Sequence, residues 1–250
     1  MSALPTNPVL LIGGTRGTGL LIARLLEQRG DAIRVMARDP ERAGSRLGRS
    51  IDIVAGDLTT PASLPAVVRE VGAIVFTAGV RSGRPAREGR VRTTEYEGVL
   101  HTLSAARGAG FRGRFLYMTS FGVTAPSLAG TLLNLYKGNT LLWRRRAEEA
   151  IRADGTDYTV IRAGFLLSAP GGRHAVEVTQ ADTPLVPRHR IARADVAAAF
   201  VAALDDPRAS RTTFEIAWGR GPGPVDWNAA FRTLKPDARI GSYSPGPMPE

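Results

Sequence analysis

The first apolar run of the chain, Pro8–Ile12, leads directly into a glycine-rich stretch, Gly13–Gly19. At the end of a first parallel strand the chain must turn tightly into a helix, and glycines permit both this turn and a close approach of the backbone to a diphosphate. The helical pattern Gly17–Arg29 follows, so free N–H groups at the start of a helix would face that anion. This order of strand, glycine turn and helix predicts a dinucleotide-binding unit; the alternative is a plain glycine-rich turn.

Further apolar runs alternate with helical patterns along the rest of the chain. We predict strands at Val9–Ile12, Ile33–Ala37, Ile51–Ala55, Ala73–Thr77, Phe115–Thr119, Tyr158–Arg162 and Thr212–Ile216. We predict helices at Gly17–Arg29, Pro61–Val71, Glu95–Gly108, Leu141–Ala153, Arg193–Leu204 and Val225–Leu234. The early strands are continuously apolar, as strands covered on both faces should be.

This alternation predicts an α/β fold, namely a Rossmann-type doubly wound parallel sheet in the order 3-2-1-4-5-6 with a small C-terminal substrate-binding portion. Residues 1–250 are expected to form a single dinucleotide-binding domain. Within it, residues 165–192 and 212–240 are expected to contribute the substrate-binding portion. Residues 242–250 are expected to form an irregular tail.

Composition excludes several classes of protein. The chain has no cysteine, which excludes a disulfide scaffold and a thiolate metal site, and its three histidines show no metal-ligand spacing. The net charge of +10 comes almost wholly from arginine, because the only lysines are Lys137 and Lys235. No zinc-finger spacing or aromatic RNA-binding motif accompanies this charge, which favours attraction of phosphate-bearing small ligands over nucleic acid.

The sequence also bears on location and surface charge. No apolar run approaches the roughly 18 residues of a membrane helix, and the N-terminus does not resemble a secretory signal, so we expect a soluble, cytoplasmic protein. Arg144 and Arg145 each precede a glutamate by four residues, which predicts solvated ion pairs from Arg144 to Glu148 and from Arg145 to Glu149. The sequence leaves open whether the protein is a monomer or a dimer.

An arginine indicates which dinucleotide is bound. NAD-binding chains usually have an acidic residue about 20 positions after the glycine turn, where it bonds the ribose 2′-hydroxyl. Nineteen residues after Gly19 this chain has Arg38 instead, and a guanidinium suits the 2′-phosphate of NADP. Arg16, in the glycine turn, is expected to bind the same phosphate from another side. NADP(H) is therefore the predicted cofactor; the alternative is that Arg38 is a solvated loop cation and Asp39 is the ribose ligand.

The spacing of Gly13, Gly17 and Gly19, GxxxGxG, resembles that of the short-chain dehydrogenase/reductase superfamily. Other segments resemble its atypical, NmrA-like NAD(P)H-binding branch, and the resemblance extends over roughly residues 8–217. These segments are Ala55–Leu58, Phe76–Gly79, Tyr117–Gly122, Asp157–Gly164 and Ile191–Val196.

Together with the glycine turn, this resemblance implies a set of cofactor-binding residues. Asp57 would meet the adenine ring, although capping of a turn is an alternative role, and Ala163 stands beside the nicotinamide where the family usually has proline. Ser120 matches the family's active-site serine. The predicted cofactor contacts are Gly13, Thr15, Arg16, Gly17, Thr18, Gly19, Arg38, Asp57, Leu58, Thr77, Ala78, Gly79 and Ala163.

The chain departs from the superfamily at the catalytic pair. Active members use Tyr-x-x-x-Lys on one helix face, and the matching positions here are Thr140 and Arg144. Threonine is a poor acid and arginine does not release a proton near neutrality. Arg144 is expected to bind the nicotinamide ribose or, alternatively, to pair with Glu148. Tyr136 lies one helical turn before Thr140 and is either a displaced acid or a packing residue.

Three functions remain open. The first is an NADPH-dependent reductase of a small conjugated carbonyl, quinone or quinolone-like compound, with Ser120 and backbone N–H groups stabilising the developing oxyanion and water supplying the proton. The second is a non-catalytic, NADP(H)-binding, redox-sensing regulator of the NmrA type that acts through a protein partner. The third is a nucleotide-sugar epimerase or dehydratase, although such enzymes normally need the tyrosine. No metal, membrane or nucleic-acid partner is expected.

The substrate is not named by any motif. Residues 80–92, 124–139 and 166–190 are expected to shape its pocket. A set of large apolar side chains is expected to form either a pocket wall or ordinary core: Leu128, Leu132, Leu133, Leu135, Trp143 and Phe165.

Overall fold

The computed structural model describes residues 7–48, 50–80 and 86–238. The strands in this part of the chain are β1 Val9–Ile12, β2 Ile33–Ala37, β3 Asp52–Ala55, β4 Ala73–Phe76, β5 Arg114–Ser120, β6 Asp157–Ala163, β7 Phe165–Leu167, β8 His174–Thr179, β9 Arg190–Ala192 and β10 Thr212–Pro222. The α-helices are α1 Gly17–Arg29, α2 Pro40–Gly44, α3 Leu64–Val67, α4 Glu88–Arg92, α5 Gly98–Gly108, α6 Leu128–Tyr136, α7 Thr140–Ala153, α8 Arg193–Asp205 and α9 Trp227–Ala230. A π-helical turn, Thr93–Glu97, joins α4 to α5.

The main sheet has the order β3-β2-β1-β4-β5-β6-β10-β8. Its neighbours from β3 to β10 are parallel, and β8 is antiparallel to β10 at one edge. A separate parallel pair is formed by β7 and β9. The predicted order 3-2-1-4-5-6 and the α/β Rossmann class are therefore confirmed, and the sheet extends two strands beyond the prediction.

Strand β1 is apolar throughout because both faces of the sheet are covered. Val9 and Leu11 belong to a buried cluster that includes residues of α1 and α8. Leu10 and Ile12 point the other way, into a cluster that includes residues of α3, α5 and α7. Each strand residue is therefore removed from water on one face or the other, as in a doubly wound fold.

The structure differs from the predicted elements in three places. The predicted helix Pro61–Val71 is a 3₁₀ turn, Pro61–Ser63, followed by the short α3, because Pro65 interrupts the run and supplies no N–H donor. Strands β7, β8 and β9 and helices α2, α4 and α6 were not predicted. The predicted tail, residues 242–250, lies outside the described residues, and the substrate-binding role of residues 165–192 and 212–240 stays a prediction. In the part of the chain that the structure describes, no helix is both long and apolar enough to cross a membrane.

Candidate functional site

The glycine turn lies between the carboxyl ends of β1 and β4, where the strand order reverses. Gly13 has a φ of +94°, and a Cβ there would lie 2.6 Å from the backbone nitrogen of Ala78. A Cβ on Gly19 would lie 2.3 Å from the carbonyl oxygen of Gly13 and 2.6 Å from Oγ1 of Thr77. Both positions therefore require glycine, and the turn is packed closely against the segment after β4.

The start of α1 has the properties that a diphosphate requires. Gly17 has a φ of +55° and faces open space, since no atom lies within 4 Å of a Cβ built there. The N-cap residue, Arg16, makes no side-chain capping hydrogen bond, and the first turn of α1 contains no acidic residue. The hydroxyl of Thr18 is buried and has no hydrogen-bond partner among the described residues. The backbone N–H groups in the first turn of α1, together with the hydroxyl of Thr18, are suited to bind an anion.

The two arginines predicted to share the 2′-phosphate lie on different sides of β1. Arg38 is exposed just after β2, and the neighbouring Asp39 uses Oδ1 to accept from the N–H of Arg42 as the cap of α2. Arg16 instead directs Nη2 to the carbonyl oxygen of Gly79, at 3.3 Å, on the β4 side. The capping role of Asp39 favours Arg38 over Asp39 as the group that faces an adenosine ribose.

Three further residues predicted to contact the cofactor, Asp57, Leu58 and Thr77, make contacts within the protein itself. Asp57 accepts from N–H and Oγ1 of Thr59, both at 2.9 Å, which is the turn-capping geometry that was the alternative to adenine binding. The side chain of Leu58 is buried in the core. Thr77 donates its N–H to the carbonyl oxygen of Ile12 at 2.8 Å and so ties the end of β4 to β1.

Ser120 and Ala163 end adjacent strands. Ser120 is the last residue of β5, is half-buried, and pairs in register with Ala163 at the end of β6. Thr15, Ala78 and Gly79 are also half-buried at this edge of the sheet. The structure therefore places the candidate serine at the same edge as the glycine turn, on the second strand beyond β1.

A buried glutamate that the sequence analysis did not select organises the centre of the site. Glu95, in the π-helical turn, is 1% exposed and accepts from Val80 N–H at 2.8 Å, Thr140 Oγ1 at 2.6 Å and Arg144 Nε at 2.8 Å. Burial on its own would raise the pKa of this carboxyl, but the charge and hydrogen bond of Arg144, with those of Thr140 and Val80, hold the pKa below its ordinary value. Glu95 is therefore an anion that fixes Thr140 and Arg144.

One of the predicted surface ion pairs is wrong. Arg145 does pair with Glu149, at 3.0 Å, but Arg144 pairs with Glu95 rather than with Glu148. Glu148 is fully buried and accepts instead from Arg152 and Arg162. The physical reason is that α7 turns both Arg144 and Glu148 towards the sheet, where each meets a different buried partner.

Lys137 follows α6 and is 9% exposed. Its Nζ donates to the carbonyl oxygen of Val80 at 3.1 Å. Burial lowers the pKa of Lys137, and the charges of Arg144 and Arg16 lower it further against the attraction of Glu95. Around Gly79–Val80 the structure therefore gathers three cations, Arg16, Lys137 and Arg144, and one carboxylate, that of Glu95. We call these four residues the cationic cluster.

The hydroxyl groups near this cluster are poorly suited to release a proton. The hydroxyl of Thr140 donates its hydrogen bond to the carboxylate of Glu95. Tyr117 is buried and donates to the backbone oxygen of Glu95, and burial raises its pKa far above the ordinary value. Tyr136 is 44% exposed at the end of α6.

The candidate apolar pocket wall separates into three groups. Trp143 is core, 1% exposed, with its indole N–H on Glu88 at 3.0 Å. Leu133 and Phe165 are partly buried against a small cluster beside the end of β5. The other three side chains of the set stand exposed on α6, namely Leu128, Leu132 and Leu135.

The two residues that the sequence analysis missed carried different signals. Glu95 had none, because its partners are 15, 45 and 49 positions away in the chain. Lys137 had a weak one, since one of only two lysines in an arginine-rich chain falls just before the helix that carries Thr140 and Arg144.

The chain is similar to known proteins both in sequence and in fold. The chain is 29% identical to sanguinarine reductase of Eschscholzia californica, over 89% of this chain and 94% of that protein. A putative NAD-dependent epimerase/dehydratase from Bacillus halodurans has the same fold, with a TM-score of 0.73 at 23% identity over 86% of this chain and 96% of that one. A short-chain dehydrogenase/reductase from Veillonella parvula, solved in complex with NADP, superposes with a TM-score of 0.68 at 14% identity, over 87% and 97% of the two chains.

The family assignment agrees with the geometry of the glycine turn. The model of the NAD(P)H-binding family matches residues 13–207, which begin at the glycine turn and extend beyond α8. The chain therefore belongs to the NAD(P)H-binding family.

Proposed function

We propose that this protein is an NADPH-dependent reductase of a small conjugated carbonyl, quinone or quinolone-like compound. The observation that carries the proposal is the cationic cluster, in which Arg16, Lys137 and Arg144 gather around Gly79–Val80 with one buried carboxylate, that of Glu95. An excess of positive charge in a partly desolvated site stabilises an oxygen that becomes negative when the adjoining carbon is reduced. The name of the curated relative, sanguinarine reductase, supports a reductase of a small molecule.

NADPH is the proposed reductant. The N-terminus of α1, with Gly17 and the free hydroxyl of Thr18, would hold its diphosphate, and Arg38 would bind its 2′-phosphate. The engagement of Asp39 as a helix cap supports this choice, as does the NADP complex of the Veillonella neighbour. When bound, NADPH supplies a hydride from its nicotinamide ring.

Residues of this chain would bind the substrate oxygen and the nicotinamide ribose. Ser120 would donate its hydroxyl to the substrate oxygen from the end of β5. Arg144, held in place by Glu95 at 2.8 Å, would bind the nicotinamide ribose where the superfamily has lysine. A conjugated substrate suits this site because delocalisation spreads the charge that forms before the proton arrives.

Turnover with a panel of acceptors tests the proposal. Purified protein is mixed with NADPH or NADH and with a set of quinones, quinolones and conjugated ketones, and oxidation is followed at the absorbance of the reduced nicotinamide. We expect NADPH oxidation with at least one class of acceptor, and product formation confirmed by mass spectrometry. Oxidation of NADH and NADPH at equal rates would contradict the cofactor assignment.

A redox-sensing regulator is the second candidate. It is favoured by one observation, the bond from Thr140 Oγ1 to Glu95 at 2.6 Å, because this hydroxyl then cannot act as the superfamily's acid. Tight, NADPH-selective binding in calorimetry without oxidation by any acceptor would support this candidate and contradict the reductase. An epimerase or dehydratase is disfavoured by the same absence of an acidic tyrosine at position 140.

A further inference from the structure

We propose that Lys137 is the proton donor of this reaction, which gives the proposed reductase the acid that position 140 does not supply. The inference rests on the proposed function, since a proton donor is needed only where a substrate is reduced. It replaces water, the proton source that the sequence alone indicated.

The placement of Nζ is the first argument. Lys137 is 9% exposed, and one of the three N–H bonds of its Nζ is directed to the carbonyl oxygen of Val80 at 3.1 Å. Within the described residues Nζ makes no other hydrogen bond. Two N–H bonds are therefore available to a ligand, from a nitrogen whose position is fixed by the loop that follows β4.

The charges that face Nζ are the second argument. Arg16 approaches from the glycine turn, Arg144 from α7 and Glu95 from the π-helical turn. Burial lowers the pKa of Lys137, and the charges of Arg144 and Arg16 lower it further against the attraction of Glu95. A lysine in this setting releases a proton more readily than a solvated lysine, which is the requirement for a general acid near neutral pH.

The other proton carriers of the site are the third argument. The hydroxyls of Thr140 and Tyr117 are directed to Glu95, and Tyr117 is fully buried. Arginine does not release a proton near neutrality, which excludes Arg16 and Arg144. Ser120 can donate a hydrogen bond but is too weak an acid to give up its proton at this pH. Lys137 is the residue of the cationic cluster that can do so.

The step balances as follows. The carbon of the substrate carbonyl gains a hydride from the reduced nicotinamide, which becomes oxidised, and the carbonyl π-electrons move to oxygen. The O–H bond forms as one N–H bond of Lys137 breaks, and the electron pair of that bond remains on Nζ. The neutral amine then takes a proton from water, which restores the ammonium form.

Substitution at Lys137 separates proton transfer from charge. Lys137→Arg keeps the cation but cannot release a proton near neutral pH, and Lys137→Met removes both. We expect both variants to lower kcat by about 10²-fold or more, while Lys137→Arg binds NADPH as the wild type does. Arg24→Met, at an exposed arginine on α1, is the control and should keep wild-type kcat. Full activity of Lys137→Arg would overturn the proposal, as would a large loss in Tyr136→Phe combined with full activity of Lys137→Met.

The scarcity of lysine permits a readout that does not depend on activity. Reductive methylation with ¹³C-formaldehyde would label Lys137, Lys235 and the terminal amine, and the Lys137 signal is the one missing from Lys137→Arg. We expect this signal to titrate at lower pH than that of Lys235 and to shift on addition of NADPH. Titration of both lysines at the same pH, or no response to NADPH, would overturn the proposal.

The two proposals fail in different ways. If the wild type oxidises NADPH and Lys137→Arg does so equally well, the reductase stands and the role of Lys137 is lost. If no acceptor supports oxidation, the reductase is lost and the role of Lys137 with it, even where the labelled amine titrates early.

Discussion

Glu95 and Glu148 are both buried and both bonded to arginine, but the charges around them differ in sign. Glu95 is the one carboxylate of the cationic cluster, with Arg16, Lys137 and Arg144 around it. Glu148 lies in a group in which Arg152 and Arg162 meet four carboxylates, those of Glu148, Asp182, Glu215 and Asp237. We call this second group the acidic cluster.

The difference indicates which cluster serves a ligand. In the acidic cluster Arg162 bonds both oxygens of Glu148, at 3.2 and 2.8 Å, and its remaining nitrogen bonds Asp182 at 2.9 Å. These bonds join α7, β6 and the segment after β8, and no cation remains in excess. The cationic cluster retains an excess of positive charge beside the glycine turn, so it gains from an anion that the chain itself does not supply.

Removal of one arginine from each cluster gives the largest expected effect. Arg162→Met leaves the buried Glu215 without its arginine and Glu148 with Arg152 alone, and should lower the free energy of unfolding by about 3–5 kcal/mol, measured in urea. Arg144→Met should lower it less, because Lys137 remains near Glu95. Arg144→Met should weaken NADPH binding in calorimetry, whereas Arg162→Met should not. Equal losses of stability, or a loss of NADPH affinity confined to Arg162→Met, would contradict the assignment of the two clusters.

Substitution of Ser120, at the end of a strand between the two clusters, should give the second-largest effect. Ser120 ends β5, which lies between β4 and β6. Ser120→Ala should lower kcat/KM by about 10²-fold, as when one donor to an oxyanion is removed, with the NADPH dissociation constant and stability unchanged. Ser104→Ala, at an exposed serine on α5, is the control. Unchanged kcat/KM in Ser120→Ala would mean that the reacting oxygen lies elsewhere.

A smaller effect tests the cofactor at a distance from both clusters. Arg38→Ala should weaken NADPH binding by roughly 10-fold or more and leave NADH binding unchanged, because a charged contact of this kind contributes on the order of 1.5–3 kcal/mol. Arg16→Ala should weaken binding of both cofactors, since its guanidinium lies at Gly79 rather than beside Arg38. Arg24→Ala, at an exposed arginine on α1, serves as control. Equal loss of NADH affinity in Arg38→Ala would assign Arg38 another partner.

The smallest effect concerns the acidic cluster and pH. Burial raises the pKa of Glu215 above its ordinary value, against the opposing effects of Thr183 and Arg162. The folded state then holds this proton more tightly than the unfolded chain, so its contribution to stability is complete below the unfolded pKa and is lost as pH rises through the folded pKa. The stability of the wild type relative to Glu215→Gln should therefore fall between pH 4 and pH 8 in urea unfolding. A relative stability that rises over this range would show that the pKa is lowered instead.

The parts of the fold that the sequence predicted share one property: local pattern and burial agree there. Val9–Ile12 and Ile33–Ala37 are continuously apolar and lie in the middle of a covered sheet, and Gly17–Arg29 begins and ends where its glycines and final arginine indicate. Leu128, Leu132 and Leu135 of helix α6 recur at helical spacing, but they face solvent, and the sequence analysis assigned them only to a pocket wall or ordinary core. Strands β7 and β9 have three residues each, too few for a period to be seen.

In the candidate site, too, the residues that could be predicted are those whose role is visible in the local sequence. Its glycine turn could be predicted directly, because Gly13 and Gly19 follow a strand and precede a helix, where glycines indicate a tight turn. In the structure both positions are in close contact with neighbouring backbone. Glu95 could not be found, since an acid in a helical pattern resembles a solvated residue until the fold brings Thr140 and Arg144 to it. The direction of Arg144, towards Glu95 rather than Glu148, likewise depended on tertiary packing.

The close contacts of the glycine turn also limit how a lineage of such chains can diverge. A side chain at Gly13 would collide with the backbone of Ala78, and one at Gly19 would collide with the carbonyl oxygen of Gly13 itself. Neither position can accept even alanine until a second segment moves, and every single-step intermediate would lose the turn before it gained an alternative. A substitution in the turn therefore requires a matching change at the end of β4, whereas Arg38, exposed on the other side of β1, can be exchanged by a single substitution. Where Arg38 binds the 2′-phosphate, as proposed, its replacement would change cofactor preference while the glycine turn stays the same.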